Sequence, residues 1–214
     1  MVPRAVIVDP DLTLSCDRAT TASAGLDCIT QLIESFVCRF RRPLPRSLVL
    51  DALPRAVAAF PSVLEKSTDA ASRAAMSHAA LLSGMALTNS GLGMAHGVAA
   101  ALGIECGTPH GIACALLLPV ALSVNREACE ADFATLERSI DPTAAENDAV
   151  AAVAFTTRIE ELCAVAGVPR RLADVGLERG RIGWLAEHSG GASMRGNPVE
   201  LPPESLRLIL EAHY

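Results

Sequence analysis

Residues 91–119, GLGMAHGVAAALGIECGTPHGIACALLLP, form the stretch around which the rest of the chain is arranged. Two of the five histidines, His96 and His110, stand here in an otherwise apolar run, each followed by a glycine, Gly97 and Gly111. A buried imidazole must find partners for its ring nitrogens, because an unpaired polar group in an apolar interior costs on the order of a few kcal/mol. Either histidine alone reads as a core residue bonded to a carbonyl. The pair points to a shared ligand, since glycine admits close approach of another group and Pro109 can start a helix at His110.

Working outward, composition sets the fold class. The 214 residues are 50% hydrophobic but only 3% aromatic, so Ala, Val, Leu and Ile must fill the core. That favours close-packed helices over a sandwich of sheets and predicts an all-α fold. The net charge is −6 and the densest basic patch is RFRR at 39–42, which disfavours nucleic acid as a partner. Seven cysteines (16, 28, 38, 106, 114, 129 and 163) are dispersed with no CxxC pair. Free, mostly buried thiols in a reducing cytoplasm are the expectation, with Cys106 and Cys114 flanking His110. The apolar run at 111–122 is too short to span a bilayer, and no signal peptide is visible, so no membrane association is expected.

Residues 4–8, RAVIV, read as a short strand stopped at Asp9-Pro10. A lone strand is not stable by itself, so it either lies on the helical body or belongs to a sheet encoded elsewhere. Residues 20–40 have the apolar spacing of an amphipathic helix: Leu26, Ile29, Leu32, Ile33, Phe36 and Val37. On another of its faces Asp27 and Gln31 are four apart, and Gln31 and Glu34 three apart. A second helix is expected over 46–60 with a kink or restart at Pro54. A third, over 69–89, opens with an Asp cap, and its small residues mark it as central and buried. Further helices are expected over 116–124 (ending at Asn125), 127–140, 144–166, 178–188 and 203–212, the one over 144–166 closing at Gly167. The glycine-rich run 189–202 reads as a flexible surface loop, lacking the setting of a phosphate cradle.

Five motifs, DPDLT at 9–13, TASAGLDCITQLIE at 21–34, GLGMAHGVAAALG at 91–103, TPHGIACALLLP at 108–119 and RGNPVEL at 195–201, together resemble the C-terminal half of the iron-containing alcohol dehydrogenases in order and spacing. The resemblance implies a helical domain over 17–214 that holds a divalent metal, Fe or Zn, facing a nicotinamide. Residues 1–16 would then be a remnant strand and connector from a preceding nucleotide-binding domain. In that family one aspartate and three histidines usually hold the metal, and the motifs place these on Asp27, Gln31, His96 and His110, with glutamine where histidine is usual. A further family histidine near the nicotinamide corresponds to Ala100.

A carboxylate and neutral imidazoles suit Zn²⁺ or Fe²⁺, and such an ion eases hydride transfer between an alcohol or carbonyl and nicotinamide. Glutamine ligates only through its amide oxygen. The resemblance therefore implies an alcohol dehydrogenase-like oxidoreductase domain acting on a small molecule. NAD(P) would bind only where a nucleotide-binding domain is supplied in trans, since the glycine-rich turn is missing. Two other readings stand beside it: a metal-dependent lyase or isomerase, and a non-catalytic remnant. In the last, an apolar patch around residues 92–102 would be covered by homo-oligomerisation.

Overall fold

Asp17 starts the first helix: its carboxylate accepts the Thr20 N–H at 2.7 Å, satisfying one of the unpaired donors of a helix start. The helix, α1 (Arg18–Val37), buries the whole stripe of Leu26, Ile29, Leu32, Ile33, Phe36 and Val37. In this computed structural model, which describes residues 3–214, eight more α-helices follow. They are α2 (Pro43–Glu65), α3 (Ala70–Ser90), α4 (Met94–Cys106), α5 (His110–Ile140), α6 (Asp148–Ala166), α7 (Ile182–His188), α8 (Ala192–Arg195) and α9 (Pro203–Ala212). Single 3₁₀ turns lie at Pro10–Thr13, Leu172–Val175 and Arg179–Arg181, and there is no strand among the described residues. The all-α expectation holds.

α1 and α5 are the axis of the domain. α1 packs on α2, α3 and α5, and α5 packs on α1, α4 and α6, while α7 and α9 close one end. An Ala- and Leu-rich core works because backbones come close: a Cβ on Gly25 would sit 2.5 Å from the Phe60 ring. Two buried acids tie the distal half of α5 outward, Asp132 to Arg46 on α2 at 2.9 Å and Glu137 to Arg158 on α6 at 2.5 Å. The seven cysteines are free, and five are buried. α2 and α5 are long and apolar enough to cross a membrane, but 50% and 61% of those stretches are buried, so the core takes up much of their apolarity.

Several sequence expectations need correction. Residues 4–8 are not a strand; they have no regular structure and lie against α3, with Val6, Ile7 and Val8 beside Leu81 and Met85, because no second strand is there to pair with. α2 runs on through Pro54 and Pro61 without restarting. α3 is capped by Asp69 as expected but is an outer helix with few buried residues, its small side chains serving its contact with α2. The expected break at Asn125 is absent: α5 is continuous from His110 to Ile140, and its one non-helical residue is Cys129, at φ −123° and ψ 16°. Residues 94–99, 101 and 102 are buried, so the expected exposed patch lies elsewhere, on Val6, Ile7 (94% exposed), Leu12 and Met85.

The cap on α1 has a pH consequence. Hydrogen bonds from Thr20 hold the Asp17 carboxyl below its ordinary 3.8. A depressed carboxyl contributes stability that is fully present above the unfolded-state pKa and is lost as pH falls through the folded one. The difference in urea midpoint between the native chain and Asp17→Ala is therefore expected to be constant above about pH 5 and to shrink below about pH 4. A difference that stays flat down to pH 2.5 would refute the cap's role.

Candidate metal centre

α1 carries Asp27, Gln31 and Glu34 on one stripe, and across from it begin α4 and α5. α4 has no side-chain cap of its own, because its N-cap is Gly93. Glu34 supplies one from α1. Its two oxygens accept the N–H groups of Gly93 (3.0 Å), Ala95 (2.7 Å) and His96 (3.4 Å), and Asn197 Oδ1 accepts that of Met94 at 3.1 Å. All four unpaired donors of the helix start are thus satisfied, and a carboxylate sits at the positive end of its dipole. Glu34 is only 3% exposed and fits because Gly93 has no Cβ, which would lie 2.8 Å from Oε1.

Asn197 is held in turn. It exchanges two side-chain hydrogen bonds of 2.9 Å with Asn125 of α5 and donates to the Val199 carbonyl at 2.8 Å. The segment 189–202, expected to be a flexible surface loop, is instead pinned, with Ser189 and Asn197 fully buried. Gly196 allows it, since a Cβ there would lie 2.1 Å from the Leu92 carbonyl oxygen.

Glu34 also receives the His96 ring, with Nδ1 at 2.7 Å. That bond turns Nε2 toward Asp27, 3.3 Å from Oδ1. His110 opens α5 after Pro109, as its sequence predicts, and its Nε2 lies 3.5 Å from the same Oδ1. Cys114, one turn later, places Sγ 3.5 Å from His110 Nε2. The four donors Asp27, His96, His110 and Cys114 all lie within 4.8 Å of one another. The cluster is closed at His96 (5% exposed) and open at His110 (54% exposed).

Gln31 stands beside this cluster. Its Nε2 donates to Asp27 Oδ2 at 2.6 Å, and its Oε1 faces Ser83 Oγ at 2.9 Å. Ala100 is exposed, one turn beyond His96.

Two buried atoms, Asp27 Oδ1 and His96 Nε2, have no aligned hydrogen-bond partner although they face each other at 3.3 Å. Orphaned buried polar atoms on two neighbouring residues are what a missing cation would leave, and carboxylate, imidazole and thiol are all ligand types for Zn²⁺ or Fe²⁺. The residues fit the group. Burial of the His96 ring opposes its charging, yet the facing groups of Asp27, Cys114 and Glu34 outweigh it and push its pKa up to about 12. Burial also pushes the Cys114 thiol up to about 11.

Of the four residues expected to share a metal, the structure brings Asp27, His96 and His110 together, with Gln31 beside them on Asp27. Sequence reasoning missed the joint role of Glu34, though the i, i+4, i+7 spacing from Asp27 showed the shared stripe, and it gave Cys114 no place, though i, i+4 from His110 puts both on one helix face.

Known proteins place this chain in a lineage. The probable alcohol dehydrogenase EutG of Escherichia coli is 31% identical over 200 residues, covering 92% of this chain and 49% of that protein. The crystal structure of a 1,3-propanediol oxidoreductase superposes with a TM-score of 0.91 at 26% identity, over 96% of this chain and 55% of that one. An alcohol dehydrogenase from Oenococcus oeni gives 0.90 at 29% identity, over 96% and 54%. The chain thus spans about half the length of these relatives. The profile of the Fe-containing alcohol dehydrogenase family, C-terminal, matches residues 21–214, and the chain belongs to that family.

Proposed function

We propose that this domain binds one divalent cation through Asp27, His96 and His110 and forms the cation-bearing half of an alcohol dehydrogenase-like oxidoreductase. The observation that carries this reading is the pair of buried, unpartnered atoms, Asp27 Oδ1 and His96 Nε2, meeting beside His110. When bound, the cation would polarise a carbonyl or lower the pKa of an alcohol, easing hydride transfer to or from nicotinamide.

The chain's own residues set the conditions. Glu34 fixes the His96 ring so that Nε2 presents its lone pair to the site. Gln31 holds one oxygen of Asp27 and leaves the other for the cluster. His110, half exposed, stands where a small alcohol or carbonyl would enter. No strand followed by a glycine-rich turn and helix occurs among the described residues, so the nicotinamide nucleotide would be held by residues beyond them.

The test is metal content after equilibrium dialysis against Zn²⁺ or Fe²⁺. One ion per chain is expected, with His110→Ala weakening binding by at least about tenfold. Full occupancy of the His110→Ala variant would refute the ligand set. Where metal binds, NADH consumption with a short aldehyde and a nucleotide-binding partner supplied in trans is expected. Metal without redox turnover would favour the lyase or isomerase reading.

A further inference from the structure

We infer that Cys114 Sγ is the fourth protein donor of this cation site, taking the place that the family resemblance gives to position 31, and that Gln31 is a positioning residue for Asp27. The inference rests on the cation-site reading above and adds a sulfur ligand to it.

The first argument is geometric. In a tetrahedral site with bonds of about 2.0–2.1 Å to N and O and about 2.3 Å to S, neighbouring N/O donors stand about 3.3 Å apart and an N,S pair about 3.6 Å. The cluster has His96 Nε2 to Asp27 Oδ1 at 3.3 Å, His110 Nε2 to Asp27 Oδ1 at 3.5 Å, and Cys114 Sγ to His110 Nε2 at 3.5 Å. The sulfur is spaced from the imidazole as a shared ion would require.

The second argument concerns what each candidate already does. Gln31 has both ends of its amide engaged, the nitrogen on Asp27 and the oxygen on Ser83. To ligate, it would have to turn its oxygen from Ser83 toward Asp27. Cys114 has no such commitment. Buried Cys38 and Cys163 have carbonyl acceptors, Ser90 O and Ala115 O, whereas Cys114 has no carbonyl acceptor and faces the imidazoles of His110 and His96. Cys114 is fully buried, so no solvent competes for its sulfur.

Binding is a simple exchange: the S–H bond breaks, an S–metal bond forms and the proton leaves to solvent, with no change of oxidation state. The donor count of four is kept although position 31 is not histidine. A carboxylate, two imidazoles and a thiolate favour Zn²⁺, Fe²⁺ or Co²⁺ over Mg²⁺ or Mn²⁺.

The test uses Co²⁺ added anaerobically to the whole chain, read by absorption. One Co²⁺ per chain is expected, with a near-ultraviolet thiolate-to-cobalt charge-transfer band. Cys114→Ser should abolish that band and weaken Co²⁺ binding by at least about tenfold, while the visible d–d bands of bound Co²⁺ persist at saturation. Gln31→Ala should keep the charge-transfer band. Co²⁺ bound by the native chain without the band, or a band that survives Cys114→Ser, overturns the sulfur ligand and leaves the three-residue site standing. No Co²⁺ binding by the native chain overturns both. Where Cys114→Ser fails to fold, Cys114→Ala gives the same reading, since the band must vanish with the sulfur.

Discussion

Glu34→Ala is expected to destabilise the domain by about 3–5 kcal/mol, because removing one partner of a buried charged network strands the others. Three backbone N–H groups at the start of α4 lose their acceptor, and the His96 ring loses its Nδ1 partner while still facing Asp27. For a chain of this size the loss corresponds to roughly 10 °C or more in melting temperature. Cation affinity should fall about 10- to 100-fold as well, since the ring is no longer turned toward the site. Glu34→Gln, which keeps an acceptor but not the charge, should fall between the two. Urea unfolding followed by circular dichroism measures the first effect and Zn²⁺ titration the second. A Glu34→Ala protein within about 1 kcal/mol of the native chain would show that the cap on α4 contributes little.

Gly111→Ala is the second large effect. A Cβ at this position would lie 2.0 Å from the Ser23 carbonyl oxygen and 2.6 Å from its carbonyl carbon, both backbone atoms of α1. No rotamer change relieves such a contact, so α5 must move away from α1. Alanine gains about 1 kcal/mol over glycine in helix propensity, but overpacking costs about 1–3 kcal/mol and more when two helices must separate. The net expectation is a loss of at least about 2 kcal/mol. Because His110 precedes Gly111 and Asp27 lies on α1, the same displacement should widen the cluster and weaken Zn²⁺ binding. Gly84→Ala is the control: its Cβ would meet nothing within 4 Å, so α3 should gain up to about 1 kcal/mol. Comparable melting temperatures for Gly111→Ala and the native chain would remove the close approach from the argument.

These two residues show what a sequence discloses and what it hides. Gly111 and the stripe of Asp27, Gln31 and Glu34 were legible because glycine beside a histidine in an apolar run and a helical repeat are local signals. So were the Asp69 cap of α3 and the Gly167 stop of α6, which takes the left-handed conformation at φ +77°. The partners of these signals were not legible, because they lie far along the chain. Asn125 looked like a helix end until Asn197, 72 positions on, accounted for its amide. The run GGASMRGNP looked like solvent-facing loop by composition, yet Gly196 is there for contact with the Leu92 backbone. Residues 4–8 have strand composition, but composition alone cannot provide a neighbouring strand.

The start of α4 bears on how the centre would adapt to what enters it. First turns ordinarily fray, but this one is clamped by Glu34 on one side and Asn197 on the other, so His96 sits on a jaw that does not move. His110, on the first turn of α5 behind Pro109 with no side-chain cap, sits on the jaw that can. Accommodation of ions or guests of different radius should therefore be one-sided, borne at the mouth and not at the back wall.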